Sequence, residues 1–255
     1  MSHQILLQIN TSLFAGHGQS SQLAERFVTD YLAAHPGTVR VLRDVASDPV
    51  PHLDGARFSA FVTPAEARDD AQKAVIAHSD ALIAELKAAD VIVLGLPMYN
   101  FGVPSQLKSY FDHIARAGET FKYTASGPVG LVTGKKVYVF ATRGGLYAGT
   151  ALDTETSYVR DFLRFIGIGE VEFVYAEGIA YGPEHKDKAI AQANDAIAKL
   201  AAAIKVAVAD PSYAVAMEKV GVSAVSNTPE EFAALLKRHT DRWSDIIARN
   251  KLSVD

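Results

Sequence analysis

Short apolar segments alternate with longer segments of helical periodicity from residue 5 to about residue 208. The apolar segments lack the polar alternation of half-exposed strands, which is typical of a parallel sheet covered on both faces. Parallel neighbours are joined by right-handed crossover helices, so the pattern predicts a doubly wound α/β fold with its ligand site beyond the carboxyl ends of the strands. The predicted strands are 5–9, 39–42, 91–94, 137–141 and 171–175, and the predicted helices are 20–34, 63–88, 104–116, 157–165 and 184–208.

Two local signals refine this pattern. Thr63-Pro64-Ala65-Glu66 fits a capping box with proline at the first helical position, so the second helix should begin there or soon after. In residues 118–134, Phe121 and Tyr123 alternate with polar neighbours around Gly127-Pro128, which predicts a small hairpin or an extended excursion. Tyr123 would then either reach a substrate or the site of a partner subunit, or serve packing alone.

Composition excludes several classes of protein. The 255 residues are 49% hydrophobic and 21% charged, which is ordinary for a globular protein, and the net charge of −4 disfavours binding to nucleic acid. No apolar run reaches the roughly 18 residues of a membrane span, and Met1-Ser2-His3-Gln4 leaves no room for a signal peptide before the first strand. Cysteine is absent, which excludes thiolate chemistry, fits a cytoplasmic protein and leaves any redox role to a bound cofactor. The eight histidines lack metal-ligand spacing, so we expect no metal site.

The loop after the first strand has the composition of an anion site. Thr11, Ser12, Ser20 and Ser21, together with glycines, surround a helix N-terminus, where free N–H groups and the helix dipole favour a phosphate. The alternative is that Ser20 or Ser21 only caps the helix. The third glycine of a dinucleotide fingerprint is missing, because position 21 is serine, so we favour a mononucleotide.

Two further loops end strands at the same edge of the predicted sheet. Met98-Tyr99-Asn100-Phe101 follows the third strand, where a plain connection would use small polar residues. Thr142-Arg143-Gly144-Gly145 follows the fourth strand, and paired glycines let a ligand approach the backbone. Taken singly, each of these features has a purely structural interpretation: the glycine pair as a tight turn, Phe101 as a core residue and Asn100 as a turn former. Taken together, the three loops predict a site for a phosphorylated, flat heteroaromatic ligand.

Longer segments of characteristic sequence extend beyond these loops. They comprise Pro97–Phe101, Gln106–Asp112, Ala115–Gly118, Thr120-Phe121, Tyr123-Thr124, Gly127-Pro128, Gly130–Lys136, Arg143–Gly145 and Phe173–Pro183. Together these runs resemble the FMN-dependent NADH:azoreductase / NADH:quinone oxidoreductase family, over about residues 1–203. The resemblance implies a flavodoxin-like fold, a five-stranded sheet of order 2-1-3-4-5 with helices on both faces, and a homodimer with FMN sites at its interface.

The resemblance also implies which residues contact FMN. Those expected to hold the phosphate are Ser12, Gly18, Gln19 and Ser20, those expected to line the isoalloxazine ring are Met98, Tyr99, Asn100 and Phe101, and those expected to approach its polar edge are Thr142, Arg143, Gly144 and Gly145. The family often has serine at both ends of a Ser-Gln-Ser element, whereas Gly18 replaces the first serine here. One hydroxyl donor is lost, so we expect weaker retention of FMN.

A function follows from the resemblance. NADH or NADPH would give a hydride to FMN, and an azo compound or quinone would then replace the nicotinamide and receive two electrons. This is a ping-pong reaction that needs no catalytic acid–base residue. The alternative is a flavodoxin-type electron carrier without its own NAD(P)H site. That class is usually more acidic than −4 and lacks the segment 118–134, so we favour the reductase.

The last fifty or so residues differ from the rest. The resemblance ends near residue 205, so we predict a flavodoxin-like FMN-binding domain, 1–205, and a C-terminal helical extension, 206–255. Thr228-Pro229-Glu230-Glu231 fits a capping box, and an apolar stripe of helical spacing follows it: Phe232, Leu235, Leu236, His239, Trp243, Ile246 and Ile247. About 35 residues here are similar to the C-terminal end of periplasmic tripartite-tricarboxylate-type solute receptors, without any of their ligand pocket. We therefore expect a terminal helix packed on the body or on a dimer mate, and no transport function.

Overall fold

A five-stranded parallel sheet forms the centre of the computed structural model, which describes residues 4–209 of the chain. Its strands are β1 (Ile5–Asn10), β2 (Val39–Asp44), β3 (Val91–Pro97), β6 (Lys136–Thr142) and β7 (Glu170–Ala176), and their spatial order is β2-β1-β3-β6-β7. Numbered among themselves, these strands have the order 2-1-3-4-5. The predicted topology is confirmed.

Helices cover both faces of the sheet. They are α1 (Gln19–Ala34), α2 (Gly55–Val62), α3 (Asp70–Ala88), α4 (Ser105–Ile114), α5 (Thr154–Ile166) and α6 (Pro183–Ala209). α1 and α6 pack on one face, against Leu6 and Val93, whereas α3, α4 and α5 pack on the other, against Leu7 and Ile92. Successive strand residues therefore enter opposite cores, which explains the unbroken apolar runs of the sequence.

The strand register brings three loops to one edge of the sheet. Asn10 pairs with Gly95, and Thr142 pairs with both Pro97 and Ala176, so β1, β3, β6 and β7 end side by side. A β-carbon on Gly95 would lie 3.1 Å from the carbonyl oxygen of Ser20. Glycine at this position lets the first turn of α1 approach the end of β3 closely.

The helix that the sequence places from residue 63 is two helices. α2 ends at Val62, and Thr63 caps its C-terminus. The Thr63 hydroxyl donates to the carbonyl of Ser59 at 2.7 Å, so the capping box predicted there is wrong. The actual capping box opens α3: Asp69 accepts from the N–H of Gln72 at 2.8 Å, and Gln72 accepts from the N–H of Asp69 at 3.2 Å. α2 was not predicted, and of its residues only Ala60 is buried, so it leaves little apolar periodicity in the sequence.

The segment 118–134 contains an antiparallel hairpin of β4 (Phe121–Thr124) and β5 (Gly127–Gly130). The hairpin prediction is confirmed, with Ala125-Ser126 at its tip instead of the Gly-Pro pair. Within residues 4–209, no helix has both the length and the apolar character that a membrane crossing requires. The predicted extension beyond α6, with its capping box and apolar stripe, lies outside the described residues.

Candidate functional site

The loop between β1 and α1 ends at an uncapped helix. A 3₁₀ turn, Ala15–His17, leads to Gly18, and no side chain of the described residues hydrogen-bonds to the N-terminal N–H groups of α1, whose first turn carries no acidic residue. Ser20 and Ser21 are buried here, and their hydroxyl oxygens have no hydrogen-bond partner among residues 4–209. Neither serine caps the helix, so that alternative is wrong. The first turn of α1, which begins at Gln19, has the free donors of an anion site.

Ser12 joins this loop to the loop after β3. Its buried hydroxyl accepts from the N–H of Phe14 at 3.2 Å and lies 3.3 Å from the hydroxyl of Tyr99. The Tyr99 hydroxyl also accepts from the N–H of Leu13 at 3.3 Å. A β-carbon on Gly18 would overlap the Ser12 side chain. Gly18, where the family often has a serine hydroxyl, therefore also makes room for the Ser12 side chain.

A tight turn presents Asn100 and Phe101 at the end of β3. The backbones of Tyr99 and Gly102 exchange hydrogen bonds of 3.0 and 3.1 Å across the turn. Asn100 and Phe101 have φ angles of 51° and 62°, the positive values of a type I′ turn. Asparagine tolerates this conformation, whereas phenylalanine adopts it rarely and at a cost in strain. Phe101 is 51% exposed, so the interpretation of it as a core residue is wrong.

The loop after β6 is held by its carbonyl groups. The carbonyl of Thr142 accepts from the N–H of Met98 at 2.9 Å, which ties the loop to the end of β3. The carbonyls of Gly144-Gly145 accept from N–H groups of the segment 178–180 at 3.1 and 2.9 Å. Within residues 4–209, the N–H groups of this glycine pair make no hydrogen bond. Two neighbouring free donors at a sheet edge suit a ligand with acceptor atoms.

The side chain of Arg143 is fully buried and does not line the loop surface. Nη2 donates to Asp153 at 2.7 Å and to Thr156 at 2.8 Å, and Nη1 donates to Glu177 at 3.1 Å. The guanidinium also lies 4.9 Å from the ring centre of Tyr175. The side chain of Arg143 is therefore not available to a ligand at this edge, and its main-chain N–H donates to the carbonyl of Ala176 at 3.0 Å.

The pKa values of two carboxyl groups near Arg143 are shifted in opposite directions. Burial raises the pKa of Glu155 to about 8, and neither of its oxygens has a hydrogen-bond partner among the described residues. Arg143, whose Nε lies 3.6 Å from Oε2, acts in the opposite direction but does not outweigh the burial. Burial acts the same way on Asp153, but hydrogen bonds from Arg143 and Thr156 outweigh it and hold the pKa of Asp153 below its usual range. Glu155 thus holds its proton near neutral pH, while Asp153 is ionised.

Tyr147 is a further residue of this edge that the sequence did not single out. A β-carbon on Gly145 would lie 2.6 Å from Cζ and the hydroxyl of Tyr147, so the tyrosine ring lies across the glycine. The same ring contacts Phe101, with 5.4 Å between ring centres. Thr154, at the start of α5, donates to the carbonyl of Phe101. The loops after β3 and β6 therefore contact each other. The sequence signals this contact only by placing an aromatic residue two positions after a glycine pair.

Comparison with known proteins identifies the family. A family model described as the flavodoxin-like fold matches residues 5–201. The FMN-dependent NADH:quinone oxidoreductase of Cellvibrio japonicus is 55% identical over 192 residues, which make up 75% of this chain and 96% of that protein. The enzyme of the same name from Alcanivorax borkumensis is 58% identical over 189 residues, 74% of this chain and 95% of its own. This chain belongs to the FMN-dependent NADH:quinone oxidoreductases.

A solved structure of the same fold agrees with the family. The FMN-dependent NADH-azoreductase of Bacillus anthracis strain Ames Ancestor, in complex with FMN, is 27% identical to this chain and superposes with a TM-score of 0.70. The match covers 78% of this chain and 99% of that one. The resemblance to the oxidoreductase family is confirmed, and the electron-carrier alternative loses its support.

In this member of the oxidoreductase family, the hairpin stands apart from the three loops. Tyr123 is 73% exposed and packs edge-on against Phe121, with 5.5 Å between ring centres. Phe121 in turn packs against Phe165 of α5. No hydrogen bond or ring contact within residues 4–209 joins Tyr123 to the loops at the sheet edge. The other predicted site residues lie on those three loops or, for Gln19 and Ser20, in the first turn of α1.

Proposed function

We propose that this chain transfers two electrons from NADH or NADPH to quinones and azo compounds, with FMN as its cofactor. The observation that carries the proposal is the meeting of three loops at one sheet edge, with free donors on two of them and an exposed aromatic on the third. Relatives more than half identical over nearly their whole length are named FMN-dependent NADH:quinone oxidoreductases. A structural neighbour is named an NADH-azoreductase.

The residues present fit the phosphate of FMN. The buried hydroxyls of Ser20 and Ser21 have no partner within residues 4–209, and the first turn of α1 has free N–H groups. A phosphate would satisfy both kinds of donor at once. In the proposal, Ser12 adds a further hydroxyl, and Gly18 and Gln19 add main-chain N–H groups. The Ser12 hydroxyl is already oriented by its contacts to Phe14 and Tyr99.

The other two loops would hold the isoalloxazine ring. Met98-Tyr99-Asn100-Phe101 would line the ring, because the type I′ turn keeps the Phe101 side chain half exposed at this edge. The free N–H groups of Gly144-Gly145 would face the acceptor atoms on the polar edge of the ring. Thr142 and Arg143 would contribute by fixing this loop at the polar edge of the ring, because the Thr142 carbonyl accepts from Met98 and the Arg143 N–H donates to Ala176. The Arg143 side chain is engaged in the interior.

The chain's own part in the reaction is binding and orientation. When bound, FMN supplies the ability to accept a hydride and to pass two electrons on. Phe101 and Tyr147 would bound the place where a nicotinamide, and after it a quinone or azo compound, lies against the cofactor. Because donor and acceptor would use one place in turn, we expect ping-pong kinetics. No side chain of the chain is required to move a proton at this edge.

We further propose a homodimer, a cytoplasmic location and a division into a domain of residues 1–205 and an extension of residues 206–255. Exposed apolar side chains on the three loops and the hairpin support the dimer: Leu13, Phe14, Phe101, Tyr123, Leu146 and Leu152. The absence of cysteine supports a reducing compartment. The family match ends at residue 201, close to the proposed boundary.

Site variants and kinetics test the function. Asn100→Ala and Gly144→Val should each weaken FMN binding about tenfold or more, because one disrupts the type I′ turn and the other blocks the approach to the glycine pair. Gly169→Ala is the matched control, since a β-carbon there meets open space before β7, at the opposite end of the sheet. Unchanged FMN affinity in both folded variants would refute the site. Initial rates with NADH and a quinone should give parallel double-reciprocal lines, and converging lines would refute the ping-pong order.

A further inference from the structure

We propose that Glu177 is a positioning residue for the candidate site: through its carboxylate it fixes the backbone of Tyr147 and thereby holds the Tyr147 ring over Gly145. The inference rests on the proposed function, because its consequence concerns how FMN and its reaction partners fit at this edge. Glu177 lies directly after β7, whereas Tyr147 lies in the loop after β6, so the contact joins two neighbouring strand ends.

One carboxylate oxygen makes the contact. Oε1 of Glu177 accepts from the N–H of Tyr147 at 2.9 Å, from the N–H of Ala148 at 2.8 Å and from Nη1 of Arg143 at 3.1 Å. The Glu177 side chain is only 15% exposed, and hydrogen bonds to a charged acceptor in such a place are among the stronger ones. Three donors on one oxygen define the direction in which the turn at 147–148 faces.

Arg143 keeps the carboxylate in place. Its guanidinium is fully buried, and besides Glu177 it holds Asp153 and Thr156 at the start of α5. If Glu177 rotated away, the buried guanidinium would keep Asp153 as a partner but would lose part of its charge compensation, so the arrangement resists that rotation. The loop after β6 is thus fastened at two points, to β7 through Glu177 and to α5 through Asp153.

The consequence appears at the surface of the site. The Tyr147 ring lies across Gly145 and contacts Phe101, so it bounds the space in front of the free N–H groups of the glycine pair. Among residues 4–209, the Tyr147 hydroxyl makes no hydrogen bond that would hold the ring there, whereas its backbone N–H is bonded to Glu177. Rotation of the turn would carry the ring across the place proposed for the isoalloxazine.

Amide hydrogen exchange on the protein without FMN tests the contact directly. In Glu177→Ala, the amides of Tyr147 and Ala148 should exchange about tenfold faster or more, while the amides of β6 keep their rates. Glu172→Ala is the matched control, because it removes a carboxylate within β7 that lies 3.8 Å from Nζ of Lys136. Should Glu177→Ala fail to fold, Glu177→Gln keeps an acceptor but loses the charge, and about threefold faster exchange is expected. Unchanged exchange at both amides in either folded variant overturns the proposal.

A double-mutant cycle tests the consequence for the site. Glu177→Ala and Tyr147→Ala should each weaken FMN binding about tenfold. Because both changes act through the same ring, the double variant should bind FMN as well as the single variant that has the lower affinity. Additive losses, or wild-type affinity in Glu177→Ala, overturn the proposal. Failure of the proposed function would look different, because the wild-type chain itself would then bind no FMN, while the exchange result would still report on the contact.

Discussion

The side chain of Ser12 occupies the space in which residue 18 would place a β-carbon. Gly18 is therefore more than a missing hydroxyl, since it allows Ser12 to reach the N–H of Phe14 and the hydroxyl of Tyr99. Restoring a serine at position 18 would displace Ser12 and break the contact between the loops after β1 and β3. The two positions form one unit, and only one of them has room for a side chain.

The first prediction concerns this unit. Gly18→Ser should weaken FMN binding about tenfold, although it adds a hydroxyl donor, because Ser12 must move. The double variant Ser12→Gly/Gly18→Ser should recover part of the loss, since the new side chain then has the space to itself. Equilibrium titration with FMN, followed by quenching of its fluorescence, measures both. Tighter binding in Gly18→Ser alone would contradict the prediction and favour a simple loss of one donor.

A second prediction separates stability from function at Phe101. Phe101→Gly should leave the free energy of unfolding unchanged or raise it by up to about 1 kcal/mol, because glycine adopts a φ of 62° without strain. FMN binding should weaken nevertheless, since the exposed ring is lost. Phe101→Leu keeps the strain and removes only the ring, so it should weaken binding without any gain in stability. Denaturant unfolding of the protein without FMN gives the stability, and a loss of several kcal/mol in Phe101→Gly would show that the ring is part of the core.

A third prediction follows from the two carboxyl groups near Arg143. Because burial raises the pKa of Glu155 to about 8, the unfolded chain releases this proton at a lower pH than the folded protein does. The folded protein therefore loses stability as pH rises from about 5 to 8, and the loss is constant above that range. Glu155→Gln removes the titrating group, so its stability relative to wild type should grow over the same range to the order of 5 kcal/mol.

Asp153→Asn provides the opposite case. The pKa of Asp153 is held below its usual range by Arg143 and Thr156, so its contribution to stability is present at neutral pH and is lost in acid. Asp153→Asn should therefore destabilise the protein at pH 7, and the difference from wild type should shrink as pH falls through the folded pKa. Unfolding curves between about pH 2 and about pH 9 compare the two variants, since the folded pKa of Asp153 lies in the acid part of this range. Equal pH profiles for Glu155→Gln and wild type would contradict the assignment of the buried proton.

The fourth prediction concerns the hairpin. Tyr123 is 73% exposed and lies apart from the three loops of its own chain, so Tyr123→Ala should change the free energy of unfolding by less than about 0.5 kcal/mol. If the hairpin serves the site of a partner subunit, the KM for a quinone should rise several-fold while FMN affinity stays the same. Tyr123→Phe keeps the ring and should behave as wild type. An unchanged KM in Tyr123→Ala would leave Tyr123 with packing as its role.

The sheet and most helices could be predicted because their apolar residues follow a local period. α2 could not, since only Ala60 of its residues is buried and its N-cap, Asp54, is followed by the helix breaker Gly55. The capping box at Thr63 was a plausible local match, but Asp69 and Gln72 form the real one six residues further along. Local signals of this kind are decided by tertiary packing, which no short window of sequence contains.

The position of the candidate site was predictable, whereas its internal connections were not. Strand order alone brings the loops after β1, β3 and β6 together. The interior position of the Arg143 side chain depends on Asp153 and Glu177, which lie 10 and 34 residues away in the sequence. In the same way, the contact of Tyr147 with Phe101 depends on two turns folding against each other. Such contacts leave no periodic pattern in the sequence from which they could be predicted.

The most direct test of the proposed function is an anaerobic reduction. Purified protein is loaded with FMN, one equivalent of NADH is added, and the visible absorption of the flavin is recorded before and after a quinone follows. We predict rapid bleaching by NADH, or by NADPH if that is the donor, and full return of the absorption when the quinone is added. Bound FMN that neither nicotinamide bleaches, or bleached FMN that neither a quinone nor an azo dye restores, would contradict the account.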